Sequence, residues 1–149
     1  MMSLQSPVAS PTGARGKARG WSMNPRIRDW HGKRVWVIGA STGIGAETAR
    51  LMLESGARVA VSARREAALQ RGIESYPQAL SLPLDVTVPG QVVKARDRLL
   101  SEWQGVDLVL LVAGAYNEMR ADGIDLGVVD QLLDLNLRSV FRCLDAVLP

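Results

Sequence analysis

From Lys33 onward the apolar positions switch repeatedly between two periods. Residues 34–38 (Arg-Val-Trp-Val-Ile) read as a strand that stops at Gly39, and residues 43–55 then read as a helix. On that helix Ile44, Thr48, Leu51 and Met52 share one face, while Glu47, Arg50 and Glu54 pair across the other. Gly56 stops it. A second strand is expected at 59–63, a short helix carrying Leu69 and Ile73 at 66–74, and a third strand at 79–84. Thr87 is placed to cap the next helix with Pro89 in its first turn, and Val88, Val92, Ala95, Leu99 and Trp103 fall at helical spacing. Gly105 ends that helix. The apolar run 107–113 reads as a strand buried on both faces. A last helix is expected over 127–147, with an apolar stripe of Val129, Leu132, Leu133, Leu137, Val140, Phe141 and Leu144. Strands alternating with amphipathic helices predict a parallel sheet covered on both faces and joined by right-handed crossovers. The fold class is α/β, doubly wound.

Composition narrows this picture. Hydrophobic residues make up 47% and charged residues 22% of the 149, the balance of a globular domain. One cysteine and one histidine exclude a disulfide scaffold and leave too few ligands for a structural zinc site. The longest apolar run, 108–113, is far below the ~18 residues of a membrane span, so a cytoplasmic protein is expected. The net charge of +3 is unevenly spread: residues 1–28 hold five Arg or Lys and no acid, whereas the remainder holds 13 basic and 15 acidic residues. This Ser-, Pro- and Gly-rich leader has no structural period, and residues 1–30 are expected to be disordered. It reads as a mis-assigned start with Met23 as the first residue, as a disordered tail, or as a cleaved targeting peptide. With Trp21 alone among its basic residues, it shows no aromatic–basic interleaving and gives no support to nucleic-acid binding.

The chemistry begins at the first strand-to-helix turn, Gly39-Ala40-Ser41-Thr42-Gly43-Ile44-Gly45. Gly39 permits a tight turn, Gly43 lets backbone approach a ligand, and Gly45 allows close helix–strand packing. Free N–H groups and the positive helix end suit a pyrophosphate. Ala46-Glu47 after Gly45 excludes a P-loop. The second strand ends in Ala63-Arg64-Arg65, where an acid would accept the ribose hydroxyls of NAD. Two guanidiniums instead suit the 2′-phosphate of NADP, which is the expected cofactor ahead of NAD. Asp85 follows a third strand, where open α/β sheets bind ligands, and also reads as a plain loop or cap residue. Asn136 interrupts the apolar stripe of the last helix; a buried amide there needs partners, and it reads either as functional or as a core amide fixing helix register. Asp134 and Arg138 are expected to pair beside it.

The spacing Gly-x3-Gly-x-Gly, with Asp85-Val86, Ala113-Gly114 and Asn136-Leu137 following in order, resembles the short-chain dehydrogenase/reductase family. The resemblance covers residues 33–149 and implies a Rossmann-type sheet, incomplete here at its C-terminal side, with strand order 3-2-1-4. It implies that Gly39, Ser41, Thr42, Gly43, Ile44, Gly45, Arg64, Arg65, Asp85, Val86, Ala113 and Gly114 bind the cofactor. In particular, Asp85 would take the adenine amino group, and Asn136 would act catalytically by holding a water in a proton relay. Three departures stand out: Ile38 replaces the family's Thr, Thr42 stands where a basic residue often favours NADP, and Leu111-Val112 replace an Asn pair. The family's Tyr-x-x-x-Lys pair has no counterpart, since Leu80 and Arg120 follow Tyr76 and Tyr116 at that spacing. The expectation is therefore the N-terminal part of an oxidoreductase acting on a carbonyl or alcohol, homo-oligomeric when full length, the 149 residues alone being inactive. A non-catalytic dinucleotide-binding module is the alternative, and a methyltransferase ranks below both for want of an acid after the second strand.

Overall fold

β-branched residues recur in β1 (Arg34–Ile38) and β2 (Arg58–Ser62), and the two pair in parallel with Trp36 opposite Ala60 and Ile38 opposite Ser62. In the computed structural model, which describes residues 27–148, β3 (Leu80–Ser81) joins β2 and β4 (Leu108–Leu111) joins β1. The order β3-β2-β1-β4 makes a four-stranded parallel sheet. Helices α1 (Gly43–Glu54), α2 (Glu66–Ile73) and α3 (Gln91–Trp103) form the crossovers. After β4 come α4 (Leu126–Leu133), a π-helical turn over Asp134–Arg138, and α5 (Ser139–Val147).

Alternation along β1 sorts the core into two layers. Val35 and Val37 join Ala49, Leu53, Val59, Val61 and Leu69 beneath α1 and α2. Trp36 and Ile38 join Ala60, Leu82, Leu99, Trp103 and Cys143 beneath α3 and α5. Both faces of the sheet are thus covered, as a doubly wound fold requires. The leader expectation falls mostly on residues outside those described.

The structure corrects several local expectations. Helix α1 buries Gly45, Ala49 and Leu53, while Ile44 and Leu51 face solvent. The cause is Gly45: a Cβ there would lie 2.2 Å from the Gly39 carbonyl oxygen, so the helix turns this residue inward and lies close on the sheet. Helix α3 is capped by Gly90, not Thr87, leaving Val88 exposed. Thr87 is instead drawn back to Asp85, whose carboxylate accepts both its N–H and its hydroxyl. Strand β3 is short because Pro83 lacks an N–H, although Leu82 and Leu84 still donate to the carbonyls of Val61 and Ala63. β4 is half-buried along its length, as the edge strand of the described sheet.

The largest correction concerns the final helix. It is interrupted by the π turn, which shifts the phase of everything beyond it. The sheet is met by small residues, Ser139, Cys143 and Ala146, while Leu133, Leu137 and Phe141 of the expected stripe are exposed. Asp134 pairs with Arg142 at 3.0 Å and not with Arg138.

Candidate functional site

The carboxyl ends of β1, β2 and β4, together with the segment after β3, surround a cleft of about 310 Å³. Two carbonyls build its floor. Ser62 O accepts the N–H groups of Gly39 and Ala40 at 2.7 and 3.0 Å, and Ile38 O accepts those of Val112 and Ala113 at 2.8 and 3.0 Å. The glycine turn is thereby stitched to the end of β2, and the end of β4 is stitched to β1.

Gly39 sits where no other residue fits. Its φ is +104°, and a Cβ would lie 2.4 Å from the Ala113 nitrogen. Gly43 differs: its φ of +62° also favours glycine, but a Cβ would meet nothing within 4 Å. That side of the turn is open, leaving the first turn of α1 accessible to a ligand. The Thr42 side chain makes no capping bond to α1, so it does not occupy the amides of that helix end.

The structure brings Gly39, Ser41, Thr42, Arg64, Arg65, Asp85, Val86, Ala113 and Gly114 to this one cleft. It does not bring Gly43, Ile44, Gly45 or Asn136 into the lining. Ile44 is 78% exposed, and Gly45 is buried under the turn. Arg64 and Arg65 are exposed, and among the described residues neither forms an ion pair. Asp85 is half-buried, with its backbone N–H donating to Gln91 Oε1 at 2.7 Å. Burial pushes its carboxyl upward, but the two Thr87 hydrogen bonds and the Arg64 charge outweigh this and hold it below its ordinary value. Asp85 is therefore a fixed anion at the cleft wall.

Asn136 is neither buried nor unpaired. The π turn swings it toward the segment after β4, where Oδ1 accepts Ala115 N–H at 2.9 Å and Nδ2 donates to Ala115 O at 2.7 Å. Its Oδ1 also lies 3.3 Å from where a Cβ on Gly114 would be, so the small residue admits the amide. Tyr116 is 83% exposed and does not line the cleft. Cys143 is buried, and burial pushes its thiol up, the opposite of nucleophile activation.

Ser62, Leu84, Thr87 and Leu135 are among the lining residues that sequence reasoning missed, with Ile38, Ala63 and Val112. The first two stand at or near carboxyl ends of strands, a signal the rule for open α/β sheets provides. Leu135 had no such signal, because its direction is set by the π turn. Among the described residues no group of His, Cys, Asp or Glu is placed to hold a metal, and no helix is long and apolar enough to cross a membrane.

Comparison with known proteins supplies the context. The family model described as short chain dehydrogenase matches residues 33–149. The human protein named dehydrogenase/reductase SDR family member 7 is 30% identical over 138 residues, covering 81% of this chain and 41% of that protein. A solved short-chain type dehydrogenase/reductase from Mycobacterium marinum superposes with a TM-score of 0.75 at 35% identity, covering 80% of this chain and 50% of that one. An actinorhodin polyketide ketoreductase variant solved with NADPH superposes with a TM-score of 0.74 at 26% identity, covering 78% and 46%. The chain spans about half the length, or less, of the curated relatives it matches.

Proposed function

The chain belongs to the short-chain dehydrogenase/reductase family, and on that premise we propose that residues 33–149 are the cofactor-binding part of a cytoplasmic oxidoreductase that prefers NADP(H). Its substrate is a small carbonyl or alcohol, and the bound nicotinamide supplies or accepts the hydride. The observation that carries the cofactor choice is the pair Arg64 and Arg65, exposed at the cleft with no carboxylate between them and the end of β2. Guanidinium forks match a phosphate, whereas an NAD site wants an acid there. The likeness to a ketoreductase solved with NADPH supports the same choice.

The residues present fit a dinucleotide. The cleft has an open glycine turn at one end, two cations beside it, and Asp85 as a fixed acceptor on the adenine side. In this reading Arg64 and Arg65 hold the 2′-phosphate, and the turn that begins at Gly39 offers the backbone N–H groups beyond Ala40 to the pyrophosphate. Asp85 and Val86 meet the adenine, with Ala113 and Gly114 leaving room on the other wall. Asn136, fixed at both ends of its amide by Ala115, is the residue assigned to hold a relay water.

Calorimetric titration of the purified chain with NADPH and with NADH tests the reading. We expect NADPH to bind at least about tenfold more tightly, the increment of one or two charge-assisted hydrogen bonds. Equal affinities would remove the preference for NADP(H), and no binding of either would remove the cofactor site.

A further inference from the structure

We infer that Ser62, locked by Trp36, is a positioning residue that sets the glycine turn against the cleft. Trp36 is fully buried in the middle of β1, opposite Ala60, whose small side chain leaves room for the indole. The indole Nε1–H donates to Ser62 Oγ at 2.8 Å, two residues further along β2 on the same face of the sheet. Ser62 is itself fully buried and is the last residue of β2. Its carbonyl accepts Gly39 and Ala40, the first two N–H groups of the turn. One residue is thus tied through its side chain to the middle of β1 and through its backbone to the turn that leaves β1.

The chemistry makes this tie directional. An indole nitrogen only donates, so the serine hydroxyl must accept. Replacing the hydroxyl strands a donor in the core and frees the side-chain hydrogen bond that fixes Ser62 relative to Trp36. The strand ladder does not depend on that bond. It runs through backbone groups whose register, from Arg34 opposite Arg58 to Ile38 opposite Ser62, is set along the whole pair. The first amides to feel the loss are therefore those of Gly39 and Ala40, where the turn already carries a φ of +104° and the Ala113 backbone leaves no room for a side chain on Gly39. Ser62 also lines the cleft, so displacement of its backbone is displacement of the cleft wall.

The functional consequence rests on the cofactor reading above, whereas the positioning itself does not, and the test separates them. Ser62→Ala, Ser62→Thr and Trp36→Phe are made in the whole chain. Amide hydrogen exchange is measured without ligand at Gly39, Ala40, Val35 and Val37. Affinity is then measured for NADPH and for adenosine 2′-monophosphate, which carries the 2′-phosphate but has no pyrophosphate. For Ser62→Ala and Trp36→Phe we expect exchange at Gly39 and Ala40 to quicken about tenfold with Val35 and Val37 unchanged. We expect NADPH affinity to fall about tenfold while that of adenosine 2′-monophosphate stays within about twofold. Ser62→Thr restores both, since it keeps the acceptor. Uniform acceleration across β1, unchanged exchange at Gly39 and Ala40, or equal weakening of both probes would overturn the inference. If the unmodified chain binds neither probe, the cofactor reading fails, and the exchange measurements still decide the positioning role. Should Ser62→Ala not fold, Trp36→Phe carries the same comparison with the serine intact.

Discussion

At the amino-terminal end of the sheet Arg34 donates to Asp107 through its backbone N–H, Nε and Nη2 at 2.8–3.1 Å, and through Nη1 to the Trp103 carbonyl at 3.2 Å. Asp107 N–H returns a bond to Arg34 O, and Arg58 lies 4.8 Å over the Trp103 ring. The Arg34 and Asp107 charges satisfy one another. At the carboxyl-terminal end the glycine turn presents an open face, Arg64 and Arg65 form no ion pair among the described residues, and Asp85 is held as an anion by Thr87. The same strands thus end in a closed polar network on one side and, on the other, in an open turn and two guanidiniums that form no ion pair among the described residues. Uncommitted groups contribute little to folding, and they are what a ligand recognises. Substitutions at the two ends should accordingly separate stability from binding.

The largest effect is expected where both properties meet, at Gly39. Alanine there combines a positive φ with a Cβ 2.4 Å from backbone that cannot move without shifting β4. The loss in unfolding free energy is expected to be on the order of 3–5 kcal/mol, read from urea denaturation. Gly43→Ala is the control, because its φ is also positive, at +62°, but within the left-handed region open to L residues, and its Cβ would meet no neighbour within 4 Å. It should lose only about 1 kcal/mol. Equal losses at the two positions would show that dihedral strain, and not the contact with Ala113, governs the turn.

Gly39 also illustrates what was legible in the sequence. Three glycines between a strand and a helix carry their own physical reason, and the parallel β/α alternation follows from period alone. Hence the parallel sheet and its crossovers were readable from the pattern, as was the placing of Arg64 and Asp85 at strand ends, whereas the strand order and the place of Ala113 came from the family resemblance. Helix phase was not. On α1 hydropathy favoured burying Ile44 and Leu51, but the close approach demanded by Gly45 turned them outward. Beyond α4 a five-residue π turn broke the 3.6 period, so Leu137 and Phe141 emerged exposed while Cys143 went in. Asn136, which the same period placed on the apolar face as either a functional or a core amide, is exposed and bonded to Ala115. A period cannot report a register shift caused by contacts distant in sequence.

A smaller effect on stability is expected from the closed end. The Arg34 side chain and backbone N–H hold the Asp107 carboxyl at about 2, below its ordinary value, against the opposing pull of burial. A depressed carboxyl pKa stabilises the fold fully above the unfolded-state value and loses that contribution as pH falls through the folded one. Asp107→Asn should therefore lower the melting temperature at pH 7 by roughly 3–6 °C, modest because both partners are partly exposed. The gap to the unmodified chain should narrow below about pH 4 and close only below about pH 2. NADPH affinity should not change. A gap independent of pH would mean that the hydrogen bonds, and not the charge, account for the contribution of this pair.

The smallest stability effect, and the most informative, is expected at Arg65. This residue is the N-cap of α2, and its side chain makes no capping bond. A cation there faces the positive end of the helix dipole, and a serine would accept from the first-turn amides. Arg65→Ser should thus raise the melting temperature of the ligand-free chain by roughly 1–3 °C. Added NADPH stabilises in proportion to the logarithm of its concentration over Kd, so losing a phosphate contact shrinks the ligand-induced shift. The variant should gain stability alone and lose stabilisation by NADPH, while its response to NADH stays the same. A chain that becomes more stable yet keeps its full NADPH shift would leave Arg64 as the sole phosphate contact. If Arg65→Ser instead lowers stability, Arg65 is committed to the fold, and the carboxyl-terminal end of the sheet is less open than its geometry indicates.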